Sequence, residues 1–378
     1  MKIVFLNSHP ISYFSDMYRY LSSNGLNFEV WYCSKYGLNN HFDIEFNSYR
    51  KTEGLLDGFK SKFLFNLFKA QNATETLFNT FNPYILKEIS SLKRDDIIIS
   101  HGWSRFTMIL TLIFGRIFNV KVGLRAETPL IHEYNYKGLK KILRTFILKN
   151  LFKRIDYFFY IGTNNKNFYK SMGVKDDQLI FMPYSTKPSN LSYSSKKRQE
   201  KILFCGKLIE KKRPQDLLMA FHRLNNKNLK LIYAGSGNLM DELKIKSNDL
   251  GISDQIIFKG LLNKDKLNKL YKNVDLVVLP SGYGETWGLV INEAIEYGLP
   301  IIVSDMVGCS IDLCNNNGYI FKYKDIADLT SKLKKFYSLD DNSYDKLVRN
   351  SYFIKNQFSF NTINDNLTRF IKETNLNK

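Results

Sequence analysis

Short apolar runs rich in Ile, Val, Phe and Tyr recur along this chain, and stretches with helical spacing separate them. In the first half the runs fall at residues 3–6, 28–33, 97–99, 122–124 and 157–161, with helical spacing over 13–21 and 83–92 between them. In the second half they fall at 202–205, 229–234, 256–258, 276–279 and 301–303. Runs that are apolar throughout, rather than at every second residue, read as strands buried on both faces. Such strands need helical crossovers and belong to parallel sheets. The expected class is therefore α/β, with one Rossmann-like unit in each half.

A chain of 378 residues exceeds what one hydrophobic core usually organises, which also favours two domains. Between the two series the apolar runs stop, and the stretch SYSSKKRQEK has the composition of a solvated connector. The expected division is a first domain over 1–185, a linker over 186–200, a second domain over 201–355 and a C-terminal helix within 356–378. That helix could dock on either domain. The two halves share no residue-level repeat, so they have similar architecture without visible duplication.

Lys and Arg outnumber Asp and Glu by 55 to 36, a net charge of +19, so nucleic acid, an anionic membrane or a phosphorylated substrate would each be attracted. Four cysteines (Cys33, Cys205, Cys309, Cys314) form neither a disulfide framework nor paired zinc spacing, which fits a reducing compartment. The N-terminal apolar run turns polar at Asn7, too early for a signal peptide. The longest apolar run, 106–114, is half a bilayer span and reads as a buried helix. A cytoplasmic protein is expected.

The most informative segment is LPSGYGETWGLVINEA, residues 279–294. A buried strand ends at Leu279, a glycine-rich loop follows, and a helix begins near Gly288. Strand ends in open parallel sheets bind ligands, and a helix N-terminus presents unpaired N–H groups that suit a phosphate. Glu285 in the loop and Glu293 one turn into the helix would meet different ends of one ligand, so they are not an acid/base pair acting on one atom. Either glutamate alone could be an ordinary surface carboxylate; the glycine loop between strand and helix argues otherwise. A second segment, CGKLIEKKRP at 205–214, places Gly206, Lys207 and Lys212 after another strand, where lysines could neutralise a diphosphate or simply form a solvated basic turn. The pair Gly235 and Gly237 follows a third strand and is a weaker signal.

Taken together these segments resemble the retaining GT-B glycosyltransferases of family 4. The resemblance rests on the E-x7-E spacing of Glu285 and Glu293, on CGKLIEKKRPQDLLMAF, and on Gly235-Ser-Gly237, Phe258-Lys-Gly260 and Glu296-Tyr-Gly298-Leu-Pro300. The first half is similar to a bacterial branch of that family through His9-Pro10-Ile11, Leu55-Leu56-Asp57-Gly58-Phe59, His101-Gly102-Trp103 and Arg125-Ala126-Glu127-Thr128. The resemblance implies a GT-B fold, two Rossmann-like domains facing each other across a cleft. It also implies that Glu285 faces the donor sugar, Glu293 binds the nucleotide ribose, and Lys207 and Lys212 hold the leaving diphosphate. The implied donor set further includes Gly206, Gly235, Gly237, Lys259, Gly284, Thr286, Trp287, Gly288, Leu289 and Val290. His101 would contact the transferred sugar, or be structural; His9, Arg125 and Glu127 are acceptor-side candidates, though the last two could also pair with each other.

No Asp-x-Asp triplet occurs and the five histidines lack ligand spacing, so no metal and no cofactor are expected beyond a nucleotide-sugar substrate, UDP-linked in preference to GDP-linked. Residues 137–155 place Leu139, Ile142, Leu143, Phe146 and Ile147 on one helical face among Lys137, Lys140, Lys141, Arg144 and Lys153. That pattern suits attachment to the inner face of the cytoplasmic membrane, or a core helix with a basic rim. The reading is a metal-independent, retaining glycosyltransferase acting on a glycan or lipid-linked acceptor in bacterial surface-polysaccharide synthesis. The alternatives are a GT-B epimerase or hydrolase, or a basic nucleic-acid-binding protein, for which no zinc-finger or RNP-like spacing is present.

Overall fold

The computed structural model describes residues 1–38, 41–43, 48–50, 53–68, 76–189, 191–193 and 198–376, with backbone only at 41–43 and 48–50. The chain forms two compact units. Unit 1 comprises Met1–His41, Arg50–Lys187 and Ser359–Lys378; unit 2 comprises Phe42–Tyr49 and Pro188–Phe358. Part of the stretch expected as a linker, residues 190 and 194–197, lies outside the described residues.

Unit 1 is built on strands β1 Ile3–Asn7, β2 Phe28–Tyr32, β5 Ser61–Phe63, β6 Ile97–His101, β7 Lys121–Arg125, β8 Tyr157–Tyr160 and β9 Leu179–Phe181; the small pair β3 His41–Asp43 and β4 Ser48–Arg50, between β2 and β5 in sequence, falls mostly in the segment Phe42–Tyr49 assigned to unit 2. The seven strands lie in the order β5-β2-β1-β6-β7-β8-β9, and neighbours are parallel throughout. All five residues of β1 are buried, as a central strand covered on both faces requires. Val4, Leu6, Ile98, Val122, Leu124 and Phe158 join Met108, Leu112, Leu148, Phe152 and Phe168 in one core.

The last helix, Phe360–Leu376, belongs to this unit. Its Phe370 ring packs against Tyr157 and Phe159, at 4.8 and 5.5 Å between centroids, and Asn366 donates to the Phe181 carbonyl at 2.9 Å. Apolar residues at 360, 363, 367 and 370 form its buried stripe, a periodicity legible in the sequence although the partner was not.

Unit 2 contains β10 Lys201–Cys205, β11 Lys230–Ala234, β12 Ile256–Gly260, β13 Leu276–Leu279, β14 Ile301–Ser304 and β15 Gly318–Phe321, in the order β12-β11-β10-β13-β14-β15, again all parallel. Ile202, Phe204, Leu231, Tyr233, Val278 and Ile302 pack with Leu217, Leu218 and Phe221 of the helix Pro214–His222. The expected α/β class with two Rossmann-like parallel sheets is thus observed. Within the two large sheets, β5, β9 and β15 escaped the sequence analysis, as did the small pair β3 and β4. The first three lie at sheet edges and are largely half-buried; β5 (SKF) has no apolar run, while β9 (LIF) and β15 (GYIF) have short ones that the sequence analysis did not count.

Asn82 ties unit 1 together where its loops meet. Its buried Nδ2 lies within hydrogen-bond distance of the carbonyls of Cys33 (3.0 Å), Leu64 (3.3 Å) and Phe65 (3.0 Å), and Thr107 donates to its Oδ1 at 2.9 Å. Asn82→Ala strips these carbonyls of their buried donor and should destabilise unit 1 by about 2–3 kcal/mol, measurable by denaturant titration.

Candidate active site

In each sheet the chain starts in the middle and later crosses to the other side, so neighbouring crossovers leave in opposite directions. In unit 2 this reversal lies between β10 and β13, the place where open parallel sheets bind ligands, and the loops that leave their carboxyl ends meet there: the Gly282 amide donates to the Lys211 carbonyl at 3.0 Å. The loops are those carrying Gly206, Lys207 and Lys212 after β10, and Gly284 to Gly288 after β13. The helix Leu289–Glu296 is capped by Gly288, whose φ of +100° is one that side chains with a Cβ rarely adopt. A Cβ there would also lie 2.9 Å from Leu279 Cδ2, so glycine is needed to turn the strand into the helix. Leu289 and Val290 in the first turn are half-buried, and their amides belong to the unpaired N-terminal set.

Glu285 is buried, and Lys212 Nζ forms an ion pair with its Oε2. Lys212 ends a short 3-10 turn, Glu210–Lys212. The next residue, Arg213, takes a left-handed conformation (φ +51°) and is held by its own ion pair to Asp216. The loop bearing Glu285 is pinned through its backbone: the Glu285 carbonyl accepts from Gly308 N and the Trp287 carbonyl from Cys309 N, both at 3.1 Å. The Trp287 ring is buried beside Phe358, and its Nε1 donates to Asn292 Oδ1 at 2.7 Å. Its indole therefore braces the loop from within the unit. Thr286 beside it is half-buried.

Glu293 accepts a hydrogen bond on Oε2 from the Tyr271 hydroxyl at 2.8 Å. Burial raises its carboxyl above the usual range, while the Tyr271 bond and the charge of Lys264 pull it back. The two glutamates of the E-x7-E spacing thus sit in different surroundings: one paired with a lysine in the loop, the other with a phenol on the helix.

Gly235 and Gly237 have a structural explanation that the sequence did not reveal. A Cβ on Gly235 would collide with the Gly206 carbonyl and one on Gly237 with the Leu208 carbonyl, so the two loops pack backbone to backbone. Gly206 N donates to the Ala234 carbonyl and Leu208 N to the Ser236 carbonyl, each at 2.9 Å. The pair thereby sets the height of the loop carrying Lys207, which is half-buried. Lys259 lies exposed on the edge strand β12. Lys211 is exposed too, but its Cε lies 3.3 Å from where a Cβ on Gly284 would sit, so it leans over the loop.

Unit 1 has its own reversal between β1 and β6, and His101 and Arg125 end β6 and β7 beside it. His101 meets the edges of Phe14 and Phe5, at 4.5 and 5.7 Å between centroids, and neither of its ring nitrogens has a hydrogen-bond partner among the described residues. Burial, with the nearby Arg125 charge, holds it well below the usual histidine range, so its imidazole is neutral. The buried Arg125 guanidinium stacks over Tyr184 at 4.4 Å and Phe14 at 5.0 Å. Tyr184 donates to Glu127. His101, Arg125 and Glu127 therefore share one aromatic-walled cluster. Tyr13, which follows the His9-Pro10-Ile11 motif, completes it with Phe14 and Tyr184, and no motif spacing had pointed to the last two. His9 bonds Ser8 Oγ at 2.9 Å and meets the Tyr36 ring at 5.1 Å.

Comparison with known proteins adds the following. Residues 190–352 match the family described as Glycosyl transferases group 1. An uncharacterized glycosyltransferase of Methanocaldococcus jannaschii is 36% identical over 143 residues, 38% of this chain, and the match spans 31% of that relative's length. A Campylobacter jejuni alpha-1,4-N-acetyl-D-galactosaminyltransferase, named for a GalNAc-containing diNAcBac-PP-undecaprenol substrate, is 26% identical over 258 residues, covering 67% of this chain and 70% of the relative. Among solved structures, Anabaena HepE in complex with UDP superposes with a TM-score of 0.73 at 15% identity, covering 99% of this chain and all of that one, a likeness of fold. With two parallel sheets of this arrangement and that likeness to solved structures, the chain has the GT-B fold, and the group 1 glycosyl transferase match lies within its second unit.

Proposed function

We propose that this chain is a retaining glycosyltransferase that moves a sugar from a nucleotide-sugar, UDP-linked in preference to GDP-linked, to a glycan or lipid-linked acceptor of bacterial surface polysaccharide. The observation that carries this reading is the Lys212–Glu285 pair at the β10/β13 reversal, beside a glycine-capped helix N-terminus and with Glu293 eight residues further on. Fold likeness to a UDP complex supports the donor class, and the Campylobacter relative's name supports a lipid-linked acceptor.

In this reading the diphosphate lies against the amides of Gly288, Leu289 and Val290. Lys207 and Lys212 neutralise the charge that builds on it as the glycosidic bond breaks, which is the work a metal would otherwise do. Lys212 exchanges Glu285 for phosphate when donor binds, and Glu285 turns to the sugar. Glu293 holds the ribose hydroxyls. The leaving diphosphate accepts the acceptor's proton on the same face, so the protein needs no covalent nucleophile and works by positioning and charge stabilisation. A neutral His101 suits a sugar hydroxyl better than a charged one would, and His9, Arg125 and Glu127 are assigned to the acceptor.

The helix Gly138–Phe152 bears on membrane attachment. Only Leu148 and Phe152 are buried, while Leu139 is 84% and Phe146 66% exposed, and Ile142, Leu143 and Ile147 are exposed with them. Lys137, Lys140, Lys141, Lys149 and Lys153 are exposed around that stripe. A core helix would not leave five large apolar side chains in water. An anionic bilayer matches both the stripe and the charges around it. No helix among the described residues is long and apolar enough to cross a membrane.

Three outcomes are expected. Glu285→Ala should abolish transfer with nucleotide affinity nearly intact, whereas Glu293→Ala should mainly weaken nucleotide binding. Wild-type kcat and KM in both variants would remove this site from the reaction. Lys207→Ala and Lys212→Ala should each lower kcat by roughly a hundredfold, about 3 kcal/mol of lost transition-state stabilisation, with Lys246→Ala on an exposed helix as the control. The protein should cosediment with anionic vesicles at low salt, each basic residue adding on the order of 1 kcal/mol, and Ile142→Asp with Phe146→Asp should release it. Protein left in the supernatant would mean that this face serves something other than lipid.

A further inference from the structure

The helix Lys264–Lys272 reads KDKLNKLYK and buries one residue, Tyr271. A phenylalanine would fill that space without a hydroxyl to satisfy, and a buried hydroxyl is unfavourable unless it is bonded. Here it is bonded to Glu293 Oε2 at 2.8 Å. The ring itself has little freedom: it stacks on Tyr297, one turn beyond Glu293, at 5.3 Å between centroids and 20° between planes. The Cys205 thiol, at the end of β10 immediately before Gly206 and Lys207, neighbours the same phenol. The ring is thus held from two sides, and its hydroxyl reaches the carboxylate of a helix 22 positions further along the chain.

We propose that Tyr271 is the positioning residue for Glu293: it fixes the carboxylate through Oε2 and so presents Oε1 to the vicinal hydroxyls of the nucleotide ribose. This rests on the reading of Glu293 as the ribose-binding group. A glutamate side chain free to rotate would lose that freedom when ligand binds, and a preset one has already lost it on folding. Tyr271 touches neither the sugar nor the diphosphate in this arrangement, so its removal acts on affinity and leaves the chemical step alone. The bond also favours the charged carboxylate against burial, so its loss lets burial raise Glu293 further.

The test is calorimetric binding of UDP, GDP and ADP to the wild-type protein, followed by titration of the tightest of the three into Tyr271→Phe, Glu293→Ala and the double variant, with folding checked by thermal melts. Tyr271→Phe should weaken binding by roughly tenfold, the scale of a hydrogen bond to a charged group, and raise the donor KM with kcat near wild type. The double variant should bind no worse than Glu293→Ala alone, because the tyrosine acts through the glutamate. The acid limb of nucleotide binding should move to higher pH in Tyr271→Phe, a change that loss of packing alone would not produce. Wild-type affinity and pH profile in Tyr271→Phe, with weakened binding in Glu293→Ala, would overturn the positioning role and leave the Glu293 reading standing. Unchanged affinity in both variants would overturn that reading and the inference with it.

Discussion

A parallel strand cannot return to its neighbour through a tight turn, and this constraint shapes both units. Every connection must cross the sheet as a helix or long loop, and a chain that begins in the middle must eventually send its crossovers to the opposite side. That reversal falls between β1 and β6 in unit 1 and between β10 and β13 in unit 2. The residues with a chemical argument gather at those two places: Lys207, Lys212, Glu285 and Glu293 in unit 2, His101, Arg125 and Glu127 in unit 1. The sheets are rigid because their strands are buried on both faces. The loops they carry are therefore held by a scaffold that does not need them for stability.

Charge in these sites is balanced locally, despite a net charge of +19. Lys212 and Glu285 satisfy each other in a half-closed setting where a lone charge would be unfavourable, and Glu293 is bonded to a phenol, with the charge of Lys264 helping to offset its burial. In unit 1 aromatic groups do comparable work: the buried Arg125 lies over the rings of Phe14 and Tyr184, and burial, with the Arg125 charge beside it, holds His101 well below the usual histidine range. The excess of lysine lies mainly elsewhere, on exposed helices such as Lys264–Lys272 and Gly138–Phe152.

The helix Gly138–Phe152 illustrates how a pattern and its use differ. Its apolar stripe at 139, 142, 143, 146 and 147 has the spacing of a core-facing helix, yet the residues that meet the core are Leu148 and Phe152 on another face. Periodicity tells which residues share a face, and nothing in it tells whether protein, lipid or water covers that face. The final helix shows the converse. Its stripe at 360, 363, 367 and 370 found cover in unit 1, with Phe370 on Tyr157 and Phe159 of β8, more than 200 residues earlier in the chain.

Local sequence determined a good deal of this protein. Continuous apolar runs marked the central strands, because a strand covered on both faces has no polar side to show. The step from strand to glycine loop to helix at 279–294 marked the likeliest anion site, because few other sequences can turn so sharply and leave amides open. The edge strand β5 could not be read, since its SKF carries no apolar run, whereas the short runs of β9 and β15 were legible and passed over. The tertiary structure alone decided that Lys212 pairs with Glu285 across 73 positions of sequence, that Tyr271 aims at Glu293, and that Gly235 and Gly237 are required by a neighbouring backbone. These are contacts between segments whose spacing in the chain carries no information about their distance in space. That distance is set only when the sheet order places β10, β11 and β13 side by side, and so it is the packing of the strands that turns scattered residues into a site.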